Sequence, residues 1–113
     1  MSKKRIVVVC PGRGSYTRET SNYLKEYSAP VSKSIQWMNY QRETQGLLSL
    51  TNLDRQNFKA KTHMVGENAS SLIYACSFSD FMSIDRTKYE IVSVLGNSMG
   101  WYTALVLSGA VSW

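Results

Sequence analysis

The stretch "YEIVSVLGNSMGWYTALVLSGA" (residues 89–110) constrains the fold more than any other part of the chain. An apolar run rich in β-branched residues, 89–96, breaks at Gly96, and a second apolar segment starts after Gly100. The first reads as a strand buried on both faces. The second, over 98–110, is apolar nearly all round and reads as a helix in the interior. Only the tight turn Gly96-Asn97-Ser98-Met99-Gly100 separates them. A similar apolar run, "RIVVVC" (5–10), leads into "PGRGSY" (11–16), which must be a loop because a proline and two glycines break any regular element. Two such strands, each ending in a glycine loop and separated by helical sequence, predict an α/β fold: a partial parallel sheet with flanking helices.

The sequence between the strands is helical in pattern and has no internal repeat or low-complexity linker. Residues 17–27 read as a polar helix with Tyr23, Leu24 and Tyr27 inward, interrupted at Ala29-Pro30. Residues 31–45 bring Val31, Ile35, Met38 and Arg42 near one helical face, with Trp37 adjacent and Gly46 as the stop. Segment 47–65 is ambiguous: a short helix around 52–58, then a loop holding His63. Residues 67–85 carry Ala69, Leu72, Ile73 and Cys76 at helical spacing, with Asn68 as N-cap.

Length and composition remove several function classes. A chain of 113 residues is one domain or a piece of one. Its 43% hydrophobic and 19% charged content belongs to a globular protein, not a disordered or fibrous one. No apolar run approaches the ~20 residues that cross a bilayer. The basic opening "MSKKRIVVVC" imitates a signal peptide, but its apolar stretch stops at Cys10. A first strand is the better reading, and a cytoplasmic location is expected. Two cysteines build no disulfide framework, and no Cys/His spacing suggests zinc. Cys10 and Cys76 read as small core residues.

Residues 1–63 hold eleven Lys/Arg against four Asp/Glu, whereas 64–113 hold two against four. A basic half favours acidic partners such as nucleic acid, a phosphorylated cofactor or an acidic carrier protein. The cations are scattered and no nucleic-acid motif accompanies them, so neither nucleic acid nor membrane is expected as a partner. "GRGSYT" lacks the third glycine of a dinucleotide fingerprint, and no GxxxxGK[ST] occurs.

The chemistry-bearing candidate is the serine between two glycines. A strand-to-helix turn this tight holds the serine in a strained backbone, and side chains two positions away on either side would collide. Such a turn exposes the Ser98 hydroxyl at a helix N-terminus, where unpaired N–H groups favour negative charge. The Met99 N–H would then point at the oxyanion formed when Ser98 attacks a carbonyl. The loop around Arg13, with Gly12 and Gly14, also follows a strand. If the strands are parallel, both loops lie at their carboxyl ends, where open sheets bind ligands, and each can supply an oxyanion donor.

Pro11-Gly12-Arg13-Gly14-Ser15 followed by Gly96-Asn97-Ser98-Met99-Gly100-Trp101-Tyr102-Thr103-Ala104-Leu105 and Ser108-Gly109-Ala110 resembles the N-terminal portion of the malonyl-CoA:acyl carrier protein transacylase family. That family carries a Pro-Gly-Gln-Gly-Ser loop and, later, Gly-His-Ser-x-Gly-Glu followed by Tyr, Ala-Leu and Gly-Ala. "NASSLIYACS" resembles the helix before its nucleophile strand, while residues 28–65 carry little of the likeness. The resemblance implies that Ser98 takes an acyl group, typically malonyl, from coenzyme A as an ester and passes it to the phosphopantetheine thiol of acyl carrier protein, in fatty acid or polyketide biosynthesis. It implies no metal or redox cofactor, a monomer when complete, and the backbone amides of Met99 and Arg13 as the oxyanion hole.

Three residues depart from the family pattern. Arg13 stands for Gln, which keeps the backbone donor and leaves two readings of its cation: assistance to a malonyl carboxylate or coenzyme A phosphate, or a solvent-facing side chain. Asn97 stands for His and Trp101 for Glu, which bears on the shape of the acyl pocket. The family's catalytic His and malonyl-gripping Arg follow the serine. The expectation is therefore a partial acyltransferase domain over 1–113, without the family's ferredoxin-like subdomain, inactive and poorly soluble alone. His63 reads as an exposed or capping histidine and less readily as a substitute base. A serine esterase of α/β-hydrolase type and a non-catalytic interaction module are the alternatives.

Overall fold

The computed structural model describes residues 3–12, 14–20, 23–24, 29–64, 66–97 and 100–108. In chain order these form β1 (Lys4–Cys10), a 3-10 turn (Arg18–Thr20), α1 (Ala29–Thr44), α2 (Leu50–Arg55), α3 (Ala60–His63), α4 (Gly66–Met82), β2 (Tyr89–Gly96) and α5 (Gly100–Leu107). β1 and β2 pair in parallel, from Lys4 opposite Tyr89 to Cys10 opposite Gly96. The expected mixed α/β class, with a two-stranded parallel sheet and flanking helices, is what forms. Ile6 faces Ile91 but Val7 faces Ser93, so Val92 is an extra residue that bulges β2.

The core lies mainly among the helices. Ile35 and Met38 of α1, Leu50 and Leu53 of α2, and Leu72, Ile73, Ala75, Cys76 and Phe78 of α4 form one buried cluster with Tyr16. The helical spacing assigned to 31–45 and 67–85 is thus realised at the described side chains, and both Cys10 and Cys76 are buried as expected. The side chain of Val31 and all of Tyr27 lie outside the described residues. Gly46, at φ 78, closes α1 as anticipated: Leu47 N–H donates to the Arg42 carbonyl and Gly46 N–H to that of Glu43.

Several expectations need correction. The strands are not buried on both faces, because Val7, Val9, Val92 and Leu95 remain exposed. A continuous apolar run names no face, and among the described residues helices cover one side of the sheet only. Residues 17–20 form a 3-10 turn, not the start of a helix over 17–27. The donors a helix would use are diverted: Thr17 N–H to the Thr20 hydroxyl, and the N–H groups of Tyr23 and Leu24 to the Asp54 carboxylate. Ala29-Pro30 opens α1 instead of interrupting a helix, since proline is tolerated in a first turn.

The short helix expected at 52–58 forms at Leu50–Arg55, capped by the Ser49 side chain, which accepts from Asn52 N–H at 3.1 Å. Asn68 is no N-cap, because α4 begins at Gly66. Its amide instead donates to the Thr62 carbonyl and its oxygen accepts from Arg42. Finally, α5 is not interior all round: Gly100, Thr103 and Ala104 face inward, whereas Trp101, Tyr102 and Leu105 are exposed.

Two buried polar centres hold the helices in place. Asp54, 1% exposed, accepts from the Tyr16 hydroxyl (2.8 Å) and from the N–H groups of Tyr23 (3.1 Å) and Leu24 (2.8 Å). It therefore pins the segment after β1 to α2. Arg42 donates to the Leu48 carbonyl (2.7 Å), Ser71 Oγ (2.9 Å) and Asn68 Oδ1 (2.6 Å), joining α1 to α4. Replacing Asp54 with Ala leaves one buried hydroxyl and two N–H groups without their acceptor. Asp54→Ala is expected to lower unfolding stability by about 3 kcal/mol in urea titrations, well beyond the ~0.5 kcal/mol of an exposed control such as Gln56→Ala.

Candidate functional site

The parallel pairing brings the two glycine loops to one end of the sheet. Cys10 and Gly96 are register partners, and Asn97 N–H donates to the Cys10 carbonyl at 3.0 Å, so the ladder runs one residue past β2. Gly100 N–H then donates to the Asn97 carbonyl at 2.9 Å, closing a four-residue turn that delivers the chain into α5. Ser98 and Met99 occupy the middle of this turn and lie outside the described residues, as does Arg13 of the other loop. Their flanks are described and show why the turn has its spelling.

A Cβ on Gly96 would strike the backbone of Gly100 and Trp101, where the chain doubles back. A Cβ on Gly100 would strike the Cys10 carbonyl and come within 2.8 Å of the Pro11 carbonyl oxygen. Both glycines are therefore demanded by backbone meeting backbone, once within the turn and once between the two loops. The PGRGS segment begins in contact with the serine turn, as the candidate site requires. Within that segment Gly12 is buried, and Gly14 takes φ 87 with open space around it. Ser15 and Asn97 are exposed, and Trp101 turns outward at the start of α5.

Beside this end of β1 lies a cavity of about 340 Å³, walled by Val8, Cys10, Pro11, Tyr16, Cys76 and Asp80 among others. The Tyr23 hydroxyl donates to the Asp80 carboxylate at 2.7 Å on its rim. Burial pushes the Cys10 thiol above its ordinary pKa. Burial also pushes the Cys76 thiol up to about 12, with the Asp54 and Asp80 carboxylates adding to the effect. Both sulfurs stay protonated near neutral pH, which suits core residues rather than nucleophiles.

His63 is buried, not exposed, and it ends α3 instead of sitting in a loop. Its Nδ1 accepts from the Lys59 N–H at 3.0 Å, which caps α3, and its Nε2 donates to the Leu53 carbonyl at 2.7 Å. The ring stacks between Tyr16 and Phe58, with centroids at 6.1 and 5.2 Å. Nε2 ties α3 to α2 while Nδ1 serves the N–H at α3's own start, so both nitrogens are engaged and the ring has no lone pair left to serve as a base. Among the described residues no three His, Cys, Asp or Glu side chains converge as a metal site, and no helix is long and apolar enough to cross a membrane.

Asp54 and Arg42 are polar anchors, and the sequence carries a signal for each. Leu50, Leu53 and Asp54 share i, i+3, i+4 spacing, and Arg42 continues the face of Ile35 and Met38. A charge in line with an apolar face is a charge that must be satisfied indoors.

Two measurements check this geometry. Gly100→Ala should destabilise the fold by at least 2 kcal/mol, because backbone has to move, whereas Gly14→Ala should cost only about 1 kcal/mol, from its left-handed backbone; thermal melts of the two variants compare them. The thiols of Cys10 and Cys76 should resist a disulfide reagent at pH 8 in the folded protein and react rapidly once it is unfolded in guanidinium. No protein-family model, curated protein or solved structure matches the chain.

Proposed function

We propose that this chain is the nucleophile-bearing part of a serine acyltransferase, moving an acyl group, malonyl by resemblance, from coenzyme A to the phosphopantetheine thiol of an acyl carrier protein. In the first step the Ser98 oxygen adds to the thioester carbonyl. The carbon–sulfur bond then breaks, and coenzyme A leaves as a thiol with the serine's proton. In the second step the carrier thiol attacks the Ser98 ester, and the serine hydroxyl is restored. The carbonyl oxygen, negative in both tetrahedral intermediates, would be held by the backbone amides of Met99 and Arg13. On this reading the fold is the start of the family's large α/β-hydrolase-like subdomain.

One observation carries the proposal: the chain doubles back at Gly96-Gly100 in direct contact with the Cys10-Pro11 end of β1, so a serine turn and a glycine loop share one site. A merely structural Gly-Ser turn needs no second loop against it. With both His63 nitrogens occupied, the general base on this reading comes from outside the described residues, as the resembled family would supply it.

Intact-protein mass spectrometry after incubation with malonyl-CoA tests the reading. One malonyl group should appear on the peptide bearing Ser98, slowly in this chain, and it should be absent from Ser98→Ala. Added carrier protein should remove it as a new thioester. Release as free acid without transfer would favour an esterase, and no adduct on Ser98, in this chain or a longer one that includes it, would overturn the proposal.

A further inference from the structure

We propose that Tyr16 is a positioning residue for acyl transfer: gripped by Asp54 and His63, it fixes the far end of the PGRGS loop and with it the Arg13 amide assigned to the oxyanion hole. The inference rests on the acyl-transfer reading for the task it gives that amide. At its near end the loop is fixed against the serine turn. The Cys10 carbonyl accepts from Asn97 N–H at 3.0 Å, and the Pro11 carbonyl lies against Gly100. One anchor alone would leave the rest of the loop to swing about it, because the glycines at 12 and 14 have no side chains to hold them. Tyr16 supplies the second anchor.

Tyr16 is buried, and two helices hold it. Its hydroxyl donates to Asp54 of α2 at 2.8 Å, and its ring lies parallel to that of His63 in α3, with centroids 6.1 Å apart. A side chain held at both its tip and its face cannot turn without breaking one of the two contacts. The grips are themselves secured: Asp54 also accepts from the N–H groups of Tyr23 and Leu24, and His63 is bonded to the Leu53 carbonyl and stacked by Phe58. Arg13 is two residues from Pro11 and three from Tyr16. Over so short a span, at most ~3.6 Å per residue, fixing both ends leaves the amide between them little room to move. An oxyanion donor works only within hydrogen-bond reach of the developing charge, so the second anchor bears directly on rate. His63, which cannot act as the base, thus reaches the site through the ring it stacks on. Each contact of Tyr16 used here is internal and buried, so the inference does not depend on what packs against the open sides of the sheet.

Tyr16→Phe keeps the stacked ring and loses the hydroxyl bond, whereas Tyr16→Leu loses both. Acylation of Ser98 at saturating malonyl-CoA, followed by intact mass, should slow roughly tenfold in Tyr16→Phe and roughly a hundredfold in Tyr16→Leu, the loss that a donor displaced by about 1 Å brings. The malonyl-CoA concentration giving half the maximal rate should not change, because the amide acts on charge that develops only during reaction. Asn39→Ala is the structural control. It breaks a clamp between α1 and α2, where Asn39 donates to Thr51 Oγ at 2.8 Å and accepts from Leu50 N–H at 2.7 Å. It should lower the melting temperature and leave the acylation rate alone. Independently of acylation, NMR order parameters of the Gly14 and Ser15 amides should fall from the rigid range near ~0.85 in the wild type to below ~0.6 in Tyr16→Leu. Unchanged order parameters, or both Tyr16 variants acylating at the wild-type rate, would overturn the proposal and leave acyl transfer standing. A wild type that takes no malonyl group, in this chain or a longer one, overturns the acyl-transfer reading and this inference with it, even where Tyr16→Leu loosens the loop.

Discussion

The parallel pairing of β1 with β2 is the constraint from which the other features follow. Two parallel strands cannot be joined by a hairpin, so the chain has to leave the top of β1, cross the sheet and re-enter at the bottom of β2. Every helix from α1 to α4 lies in that crossover. The same pairing places both strand ends at one edge, which is why loops more than eighty residues apart in sequence come into contact. An antiparallel arrangement of the same two strands would have put the glycine loops at opposite ends, with no shared site.

What keeps so long a crossover in one shape is a combination of apolar packing and a few polar pins. Leu50, Leu53, Leu72 and Ala75 are almost wholly withdrawn from water, and burial of the apolar cluster to which they belong supplies the driving force. They do not specify the path of the segment between β1 and α1, which where described is mostly polar and holds only a single 3-10 turn. Asp54 specifies it, by accepting three hydrogen bonds from that segment. His63 and Arg42 act alike at the α2–α3 and α1–α4 contacts. Unlike side-chain packing, these bonds are directional, so they choose one arrangement among several of similar apolar burial.

The candidate site was more legible in the sequence than the surface around it. Gly96 and Gly100 could be assigned to a tight strand-to-helix turn because the steric demand is severe and leaves its mark as a residue type, although the backbone that excludes a side chain at Gly100 belongs to the other loop. His63 was harder to read, since a lone histidine in a short polar segment does not announce which carbonyl it will meet. The 3-10 turn at 18–20, where a helix was expected, has a similar cause. Its local pattern was acceptable, but the N–H groups at Tyr23 and Leu24 found a carboxylate 30 or so residues away.

By itself the sequence determined both strands, the helices at 29–44, 66–82 and 100–107, and the glycines of the serine turn, because hydrophobic period and residue type record them directly. Only the tertiary structure decided which faces those elements cover. α5 and the two strands are apolar on all sides, and an apolar side chain has no preference among partners of equal dryness. The burial of Thr103 and Ala104 and the exposure of Tyr102, Leu105, Val7 and Val9 were settled by where the other helices happened to lie.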